Sequence, residues 1–343
     1  VVGPRLLHST QWGLFDPIDT PDGGNIGLHK HMSILCKITK NCSKYGMIKW
    51  LQSNTVIELL NECSFSYMAD KTKVFVNGTW IGIITDPVNT YNKLIISRRN
   101  SIIPIYTSIA WNIKEQSISI FTDSGRMCHP VYYVEDGEIS INKPEIIKKI
   151  NENNFTWNEL LSGFAKKPDE FNINNCTTYI NYKDLYPSIS SEEFNNLKAC
   201  IEYIDTSEEE AALICVDKND ITKKPYTHME IHPSLILGVM GNQIVFPENN
   251  PLPRDLFSCG QSKQAVSLYH TNFNSRFDKT SLILNYGQIP LVKSRYLKYI
   301  NREEQPYGTN VIVAIACYGG YNVEDSILFN KASIDRGMFR NTY

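Results

Sequence analysis

Gly308-Thr-Asn-Val-Ile-Val-Ala-Ile-Ala-Cys-Tyr-Gly-Gly-Tyr-Asn-Val-Glu-Asp-Ser-Ile-Leu-Phe-Asn330 is the stretch on which the fold reading turns. Val311 to Cys317 is an unbroken apolar run, rich in β-branched residues and too short for an ordinary helix, which predicts a strand buried on both faces. Gly319 and Gly320 break it, and two adjacent carboxylates, Glu324 and Asp325, follow before apolar chain resumes. Acids at the mouth of a buried strand are costly unless solvated, paired or bound to a metal. Mg²⁺ takes hard oxygen ligands, commonly one or two carboxylates plus substrate phosphates. Neighbours on a regular strand face opposite ways. The two acids therefore share an ion only if the glycines and Asn322 form a turn in which they converge; otherwise one ligates and the other acts through water. Two carboxylates alone make a weak site, and a tight one needs ligands from elsewhere.

Outward from that stretch, 343 residues make about two to four domains. A hydrophobic share of 42% is enough for real cores, and no run approaches the length of a membrane span. The net charge of −2 excludes a global electrostatic argument for nucleic acid, so any such contact needs a local patch. Nine cysteines, an odd count at wide spacing with no C-x-x-C pair, support neither a disulfide framework nor a zinc ribbon and point to a reducing compartment. Glycosylation-type triplets at Asn41, Asn77, Asn154 and Asn175 are then chance matches in an Asn-rich chain. The start at Val1 without methionine, and the end at Tyr343 soon after the acids, lead us to expect an internal fragment of a longer protein.

The opening is turn-dense through Asp16-Pro17, Thr20-Pro-Asp-Gly-Gly24 and Gly27, with strand-like runs near Met32–Ile38 and Met47–Leu51. Residues 73–87 predict a hairpin around Asn77-Gly78, where both central residues need positive φ. Residues 118–134 repeat the theme around Asp123-Ser-Gly125. From about 135 to 225 the chain turns polar and acidic; Ser207-Glu-Glu-Glu210 suits either a helix N-terminal turn or a solvated surface. Between Arg254 and Arg302 the cations Arg254, Lys263, Arg276, Lys279, Lys293, Arg295, Lys298 and Arg302 face only Asp255 and Asp278, a local positive patch.

Several motifs have dull readings that win. His228-Met-Glu-Ile-His232 resembles a metalloprotease signature, but the glutamate is one place late and Pro233 cuts the helix short. As a strand it puts His228, Glu230 and His232 on one face, in packing roles. His29, His31, Cys36 and Cys42 fit no zinc spacing, and strand alternation explains them. Gly260-Gln-Ser-Lys263 and Gly23-Gly-Asn-Ile-Gly27 lack the full phosphate-loop pattern. Arg254 and Lys263 are candidate phosphate cations, set against a plain solvated basic face.

Arg5-Leu-Leu-His-Ser-Thr-Gln-Trp-Gly13 with Pro17-Ile-Asp-Thr-Pro-Asp-Gly23 and Gly27-Leu resembles the fork region of the second-largest (β-type) subunit of multisubunit RNA polymerases. Lys73-Val-Phe-Val-Asn-Gly-Thr-Trp and Ile120-Phe-Thr-Asp-Ser-Gly-Arg resemble its first external domain, and Tyr203-Ile-Asp-x-x-Glu-Glu-Glu its second. Thr227-His-x-Glu-Ile-His-Pro-Ser, Pro253-Arg254, Lys263-Gln264, Gly320-Tyr-Asn-x-Glu-Asp-Ser-Ile and Asp335-Arg-Gly-x-Phe-Arg340 resemble the start of its hybrid-binding domain. The resemblance runs nearly end to end. It implies a mixed α+β, β-rich multidomain chain: fork 1–40, external domains 41–134 and 135–231, and at 232–343 the incomplete start of a hybrid-binding double-psi β-barrel with exposed edges.

The resemblance implies DNA-templated RNA synthesis. An RNA 3′-OH attacks the α-phosphate of a nucleoside triphosphate by a two-metal mechanism, with the tighter Mg²⁺ on the largest subunit. Glu324 and Asp325 match acids near the second, substrate-borne Mg²⁺. Arg254 matches a triphosphate contact; Gln264 and Lys263 match contacts near the RNA 3′ end; Arg5–Trp12 would lie by template and downstream DNA. Partners implied are the largest and other polymerase subunits, DNA template, nascent RNA and triphosphates, with no membrane. The family's zinc-bearing clamp segment falls outside this stretch. Asp16, Asp19 and Asp22 depart from the usual residues of the fork. The motif wording leans to the eukaryotic, archaeal and viral branch, and an Asn/Ile/Lys/Tyr-rich style to a large cytoplasmic DNA virus; the compartment is then the host cytoplasm, otherwise the nucleus. Two other readings compete. One is a non-catalytic scaffold whose 254–302 patch holds nucleic acid in a salt-sensitive way; the other is a stand-alone metal-dependent phosphohydrolase, which needs further acids at the same site, where the stretch before Glu324 offers only Glu303 and Glu304.

Overall fold

The computed structural model describes residues 1–152, 155–164, 192–300 and 303–343; Asn154, Asn175, Cys176 and Arg302 lie outside the described residues. The chain divides into two units: unit 1 is Val1–Leu7, Asp16–His31 and Leu237–Tyr343, and unit 2 is His8–Phe15 and Met32–Ile236. Among the described residues no helix is long and apolar enough to cross a membrane.

Unit 2 is the β-rich body. In chain order it runs β1 (Lys37–Ile38), α1 (Lys44–Asn54), β2 (Ile57–Leu59), β3 (Thr72–Val76), β4 (Thr79–Ile84), α2 (Pro87–Arg99), β5 (Ser108–Asn112) and β6 (Ser117–Phe121). It continues with β7 (Met127–Glu135), β8 (Glu138–Ile139), α3 (Pro144–Asn151), α4 (Trp157–Ser162), β9 (Ile201–Asp205), α5 (Thr206–Glu209), β10 (Ile214–Cys215) and β11 (His228–Glu230). Two sheets result. The first has the order β2-β4-β3-β6-β5, antiparallel except for the parallel β3/β6 pair. The second is built on β7, which pairs antiparallel with β1, β8, β9 and β11, while β10 adds parallel to β11.

The expected hairpin at 73–87 is β3/β4. Asn77 (φ 48°) and Gly78 (φ 75°) both take the left-handed conformation that its tight turn requires. The hairpin expected at 118–134 does not form: β6 and β7 are strands, but they join different sheets. The Asp123–Gly125 bend turns away from β6 because Thr39 captures it. Thr39 Oγ1 donates to the Asp123 carbonyl (2.9 Å), its carbonyl accepts from Gly125 N–H (3.1 Å), and Arg126 reaches on to Asp205 at 3.0 Å.

Met47–Leu51 is helical, not a strand. Met47, Trp50 and Leu51 fall at i, i+3 and i+4 on the buried face of α1, where they join Val74, Val76, Leu94, Ile109 and Ile118 in the largest apolar core. The Met32–Ile38 run yields only the short β1 and an isolated bridge from Met32 to Phe15. The acidic run at 207–210 does start a helix. Asp205 caps α5, accepting from Ser207 and Glu208 N–H at 3.1 Å each, and Glu208 turns inward to pair with the buried Arg98.

Unit 1 holds one long helix, α6 (Leu252–Lys263), with Asp255, Leu256 and Cys259 on its buried face, and a minimal pair of β12 (Ile283–Leu284) with β13 (Asn341–Thr342). Val311–Cys317 is not a buried strand. It forms no ladder with any described residue, and Ile312 (104%) and Ile315 (100%) are fully exposed. Burying a strand on both faces takes two flanking layers, and the described residues supply neither. What remains is an exposed apolar segment.

Candidate functional site

The candidate residues all fall in unit 1. Pro251 precedes α6 and Pro253 occupies its first turn, pre-set for helix and needing no N–H partner. Arg254 in that turn lies over Phe257 (guanidinium 5.4 Å from the ring centroid), and among the described residues it has no ion pair. Lys263 ends the helix and Gln264 follows as its cap, both exposed.

Lys263 is not a free cation. Its Nζ donates to Asp19 Oδ1 at 2.7 Å and lies 3.0 Å from His31 Nε2. Asp19 is buried, only 4% exposed, while the Lys263 side chain keeps 39% of its surface. Asp19, Asp22, Phe257, Gly260, Lys263 and Gln264 line an open cleft of about 350 Å³. Behind it, Asp16 accepts from Ile18 N–H (3.1 Å) and Gly241 N–H (3.3 Å), and burial pushes its carboxyl pKa up.

Arg5 is equally engaged. Its Nη1 donates to the carbonyls of Gly24 (2.6 Å) and Ile26 (3.2 Å), so the Gly23–Gly27 turn wraps the guanidinium with carbonyls, the reverse of a phosphate loop. Gly27 (φ 74°) sits so close that a Cβ there would lie 2.1 Å from the Arg5 carbonyl oxygen.

Glu324 and Asp325 lie in a turn. Ser326 N–H bonds the Val323 carbonyl at 3.2 Å, and both acids between them adopt left-handed φ, 49° and 54°. Two consecutive non-glycine residues in that region store roughly 1–3 kcal/mol each. Asn322 braces the preceding loop through Tyr318 N–H (3.1 Å) and the Ala316 carbonyl (2.5 Å). Both carboxylates are exposed and, among the described residues, neither has a hydrogen bond or ion pair. Two free hard-oxygen donors fit a divalent cation that brings its other ligands with it. No cluster of three or more His, Cys, Asp or Glu able to hold a metal occurs among the described residues.

The structure therefore joins Lys263 and Gln264 at one cleft, leaves Arg254 outside the lining of that cleft, and ties Arg5 into a turn. The positive patch is partly neutralised: besides Lys263–Asp19, Arg276 pairs with Asp278 (2.7 Å) and Lys293 with Glu303. His31 stands on a loop rather than an alternating strand. In unit 2, His228 and Glu230 do pack as β11 residues. His228 Nε2 lies 3.0 Å from Glu202, and Glu230 meets Trp12 Nε1 at 2.7 Å and His129 Nε2 at 3.3 Å; His232 lies beyond the strand and bonds Ser234. Sequence reasoning had named Asp19 and His31 for other reasons. Their partnership with Lys263 joins positions 244 and 232 apart and leaves no local signal.

Four family models match in order: RNA polymerase Rpb2 domain 3 at residues 1–38, domain 4 at 74–135, domain 5 at 194–233 and domain 6 at 240–343. The DNA-directed RNA polymerase II subunit RPB2 of Encephalitozoon cuniculi is 36% identical over 353 residues, covering 100% of this chain and 28% of that protein. Subunit 2 of Arabidopsis thaliana RNA polymerase II is 34% identical over 99% of this chain and 27% of its own length. The DNA-directed RNA polymerase subunit 2 of Acanthamoeba polyphaga mimivirus is 33% identical over 99% of this chain and 28% of its length. The chain thus spans little more than a quarter of these relatives. With four consecutive domains of one subunit in their proper order and relatives aligned along almost all of it, the chain belongs to the Rpb2 family of second subunits of DNA-directed RNA polymerase.

Proposed function

We propose that this chain forms the substrate-side part of a DNA-directed RNA polymerase active centre, working only together with the largest and other polymerase subunits on DNA template, nascent RNA and nucleoside triphosphates. The supporting observation is the pair Glu324 and Asp325, exposed, adjacent, unpartnered among the described residues and held in a strained turn within the segment matched by Rpb2 domain 6. In this reading both acids hold the second, substrate-borne Mg²⁺, which when bound neutralises triphosphate oxygens. Arg254 at the start of α6 offers its fork to the triphosphate and stabilises the departing pyrophosphate. Lys263 and Gln264 face the RNA 3′ end, and Arg5 shapes the segment beside the template. The same reading keeps 1–40 as fork, 41–134 and 135–231 as external domains, and 232–343 as the start of a hybrid-binding double-psi barrel, in a reducing intracellular compartment.

The test is primer extension by polymerase reconstituted with the full-length subunit carrying Glu324→Gln or Asp325→Asn, titrated with Mg²⁺. Slower elongation that more Mg²⁺ partly restores, with RNA–DNA binding retained, supports the role. Unchanged extension overturns it.

A further inference from the structure

An ammonium group has three donors. At Lys263, Asp19 Oδ1 accepts one at 2.7 Å, and His31 Nε2, at 3.0 Å, accepts a second in the neutral tautomer that carries its proton on Nδ1. One N–H is left on a side chain that keeps 39% of its surface and lines the same cleft as Gln264. The long, flexible lysine stem is thereby fixed at its tip, and the buried Asp19 carboxylate gains the cation it needs. Asp19 is held in turn by its own segment: Asp16, three residues earlier, is anchored by Ile18 and Gly241 N–H, and Thr20 Oγ1, next in sequence, donates to the His29 carbonyl at 2.9 Å. Thr20 also accepts from Gly27 N–H at 2.9 Å, so the turn that carries Asp19 is bonded to the loop that leads to His31.

We propose that Asp19, with His31, is a positioning residue that aims the remaining N–H of Lys263 at a phosphate oxygen of the growing RNA end. This rests on the polymerase reading above and adds to it how the cation is held. Coulomb attraction alone makes the opposite prediction for one variant: Asp19→Asn deletes a negative charge beside an anionic ligand, which should tighten RNA binding. If Asp19 works by aiming Lys263, the same change slows nucleotide addition in spite of that gain, because a misplaced contact forfeits its share of catalysis.

The experiment is single-nucleotide addition by the reconstituted polymerase with the full-length subunit, alongside RNA–DNA hybrid binding. Asp19→Asn should slow addition about tenfold with hybrid binding equal or tighter, and Asp19→Glu, whose carboxylate still reaches the ammonium, should recover part of the rate. Lys263→Gln should slow addition as well, and Asp19→Asn made on top of it should add nothing, since both act through one N–H. Wild-type rates in Asp19→Asn, or a double variant slowed by the product of the two single effects, overturn the proposal. If Asp19→Asn does not assemble, His31→Ala at an exposed side chain takes its place, with the same slowing expected and the same loss of effect in the Lys263→Gln background. A wild-type complex without template-directed addition would instead sink the polymerase reading itself.

Discussion

Arg99 grips Glu202 with both arms of its fork: Nε and Nη2 each donate at 3.0 Å to separate oxygens of the one carboxylate, while the guanidinium lies 3.5 Å from the centroid of the Tyr133 ring. Arg98 adds a third bond to Glu202 at 2.9 Å and His228 a fourth contact at 3.0 Å, so a fully buried acid on β9 joins α2 to β11. Burial pushes Glu202 upward, but Arg99 and Arg98 outweigh it and hold the carboxyl well below its usual range. Glu202→Gln should cost about 3–5 kcal/mol, because it leaves two buried guanidinium groups short of charge. A depressed pKa gives stability that is present above the unfolded value, near 4.5, and lost as pH falls through the folded one. Urea midpoints of the wild-type chain should therefore fall below pH 4.5 while those of the variant stay flatter; parallel curves would show that the fork carries no net charge effect.

Glu209 works in the opposite sense. Its Oε2 is buried without a partner, and burial, with Glu230 and Asp205 adding, lifts its pKa to about 8. The folded chain keeps a proton that the unfolded chain releases near 4.5, so stability declines as pH rises from there to about 8. Glu209→Gln should stabilise the chain by about 1–3 kcal/mol at pH 8.5 and change little at pH 5. Calorimetric melting at the two pH values decides it.

Gly13 has φ 66°, and a Cβ there would land 2.6 Å from the His129 ring. His129 cannot give way freely, being buried and bound to Glu230. Gly13→Ala should cost about 2–4 kcal/mol from backbone strain and overpacking together. Equal urea midpoints for variant and wild type would show that the ring moves aside.

Trp12→Phe keeps most of the ring area and removes the indole N–H that Glu230 accepts across 218 residues of sequence. Glu230 is 1% exposed, so the lost partner should cost about 1–3 kcal/mol. Far-UV circular dichroism through a urea titration is the readout, since the tryptophan signal itself changes.

Legibility followed sequence distance. The β3/β4 hairpin could be read because Asn77 and Gly78 carry their own turn chemistry. A five-residue window at Met47–Leu51 was too short to separate a period of 3.6 from one of 2, and the buried face of α1 emerged only with Trp50 placed on its core. Val311–Cys317 read as buried because composition reports what a segment would bury, not whether layers stand by to cover it. Glu324 and Asp325 stand out in the sequence as an unusual acid pair beside apolar chain; their left-handed conformation has no glycine or asparagine at those two positions to announce it. The clasp of Asp19 and His31 on Lys263 is tertiary, and no spacing rule reaches across 244 residues.

The second sheet of unit 2 also sets a timetable. β7 ends at residue 135, yet two of its ladders come from β9 and β11, the last of which closes at Glu230. Loop-closure entropy must be met before such distant pairings reward the chain, so this sheet is intrinsically slow to assemble. During synthesis β7 emerges with only β1 and β8 able to join it; the groups that β9 pairs stay open until residue 205 is made, and those that β11 pairs until residue 230. Chain elongation therefore sets the earliest moment at which this region can close, and shielding of a half-dressed strand until it does bears on the yield of correctly folded subunit.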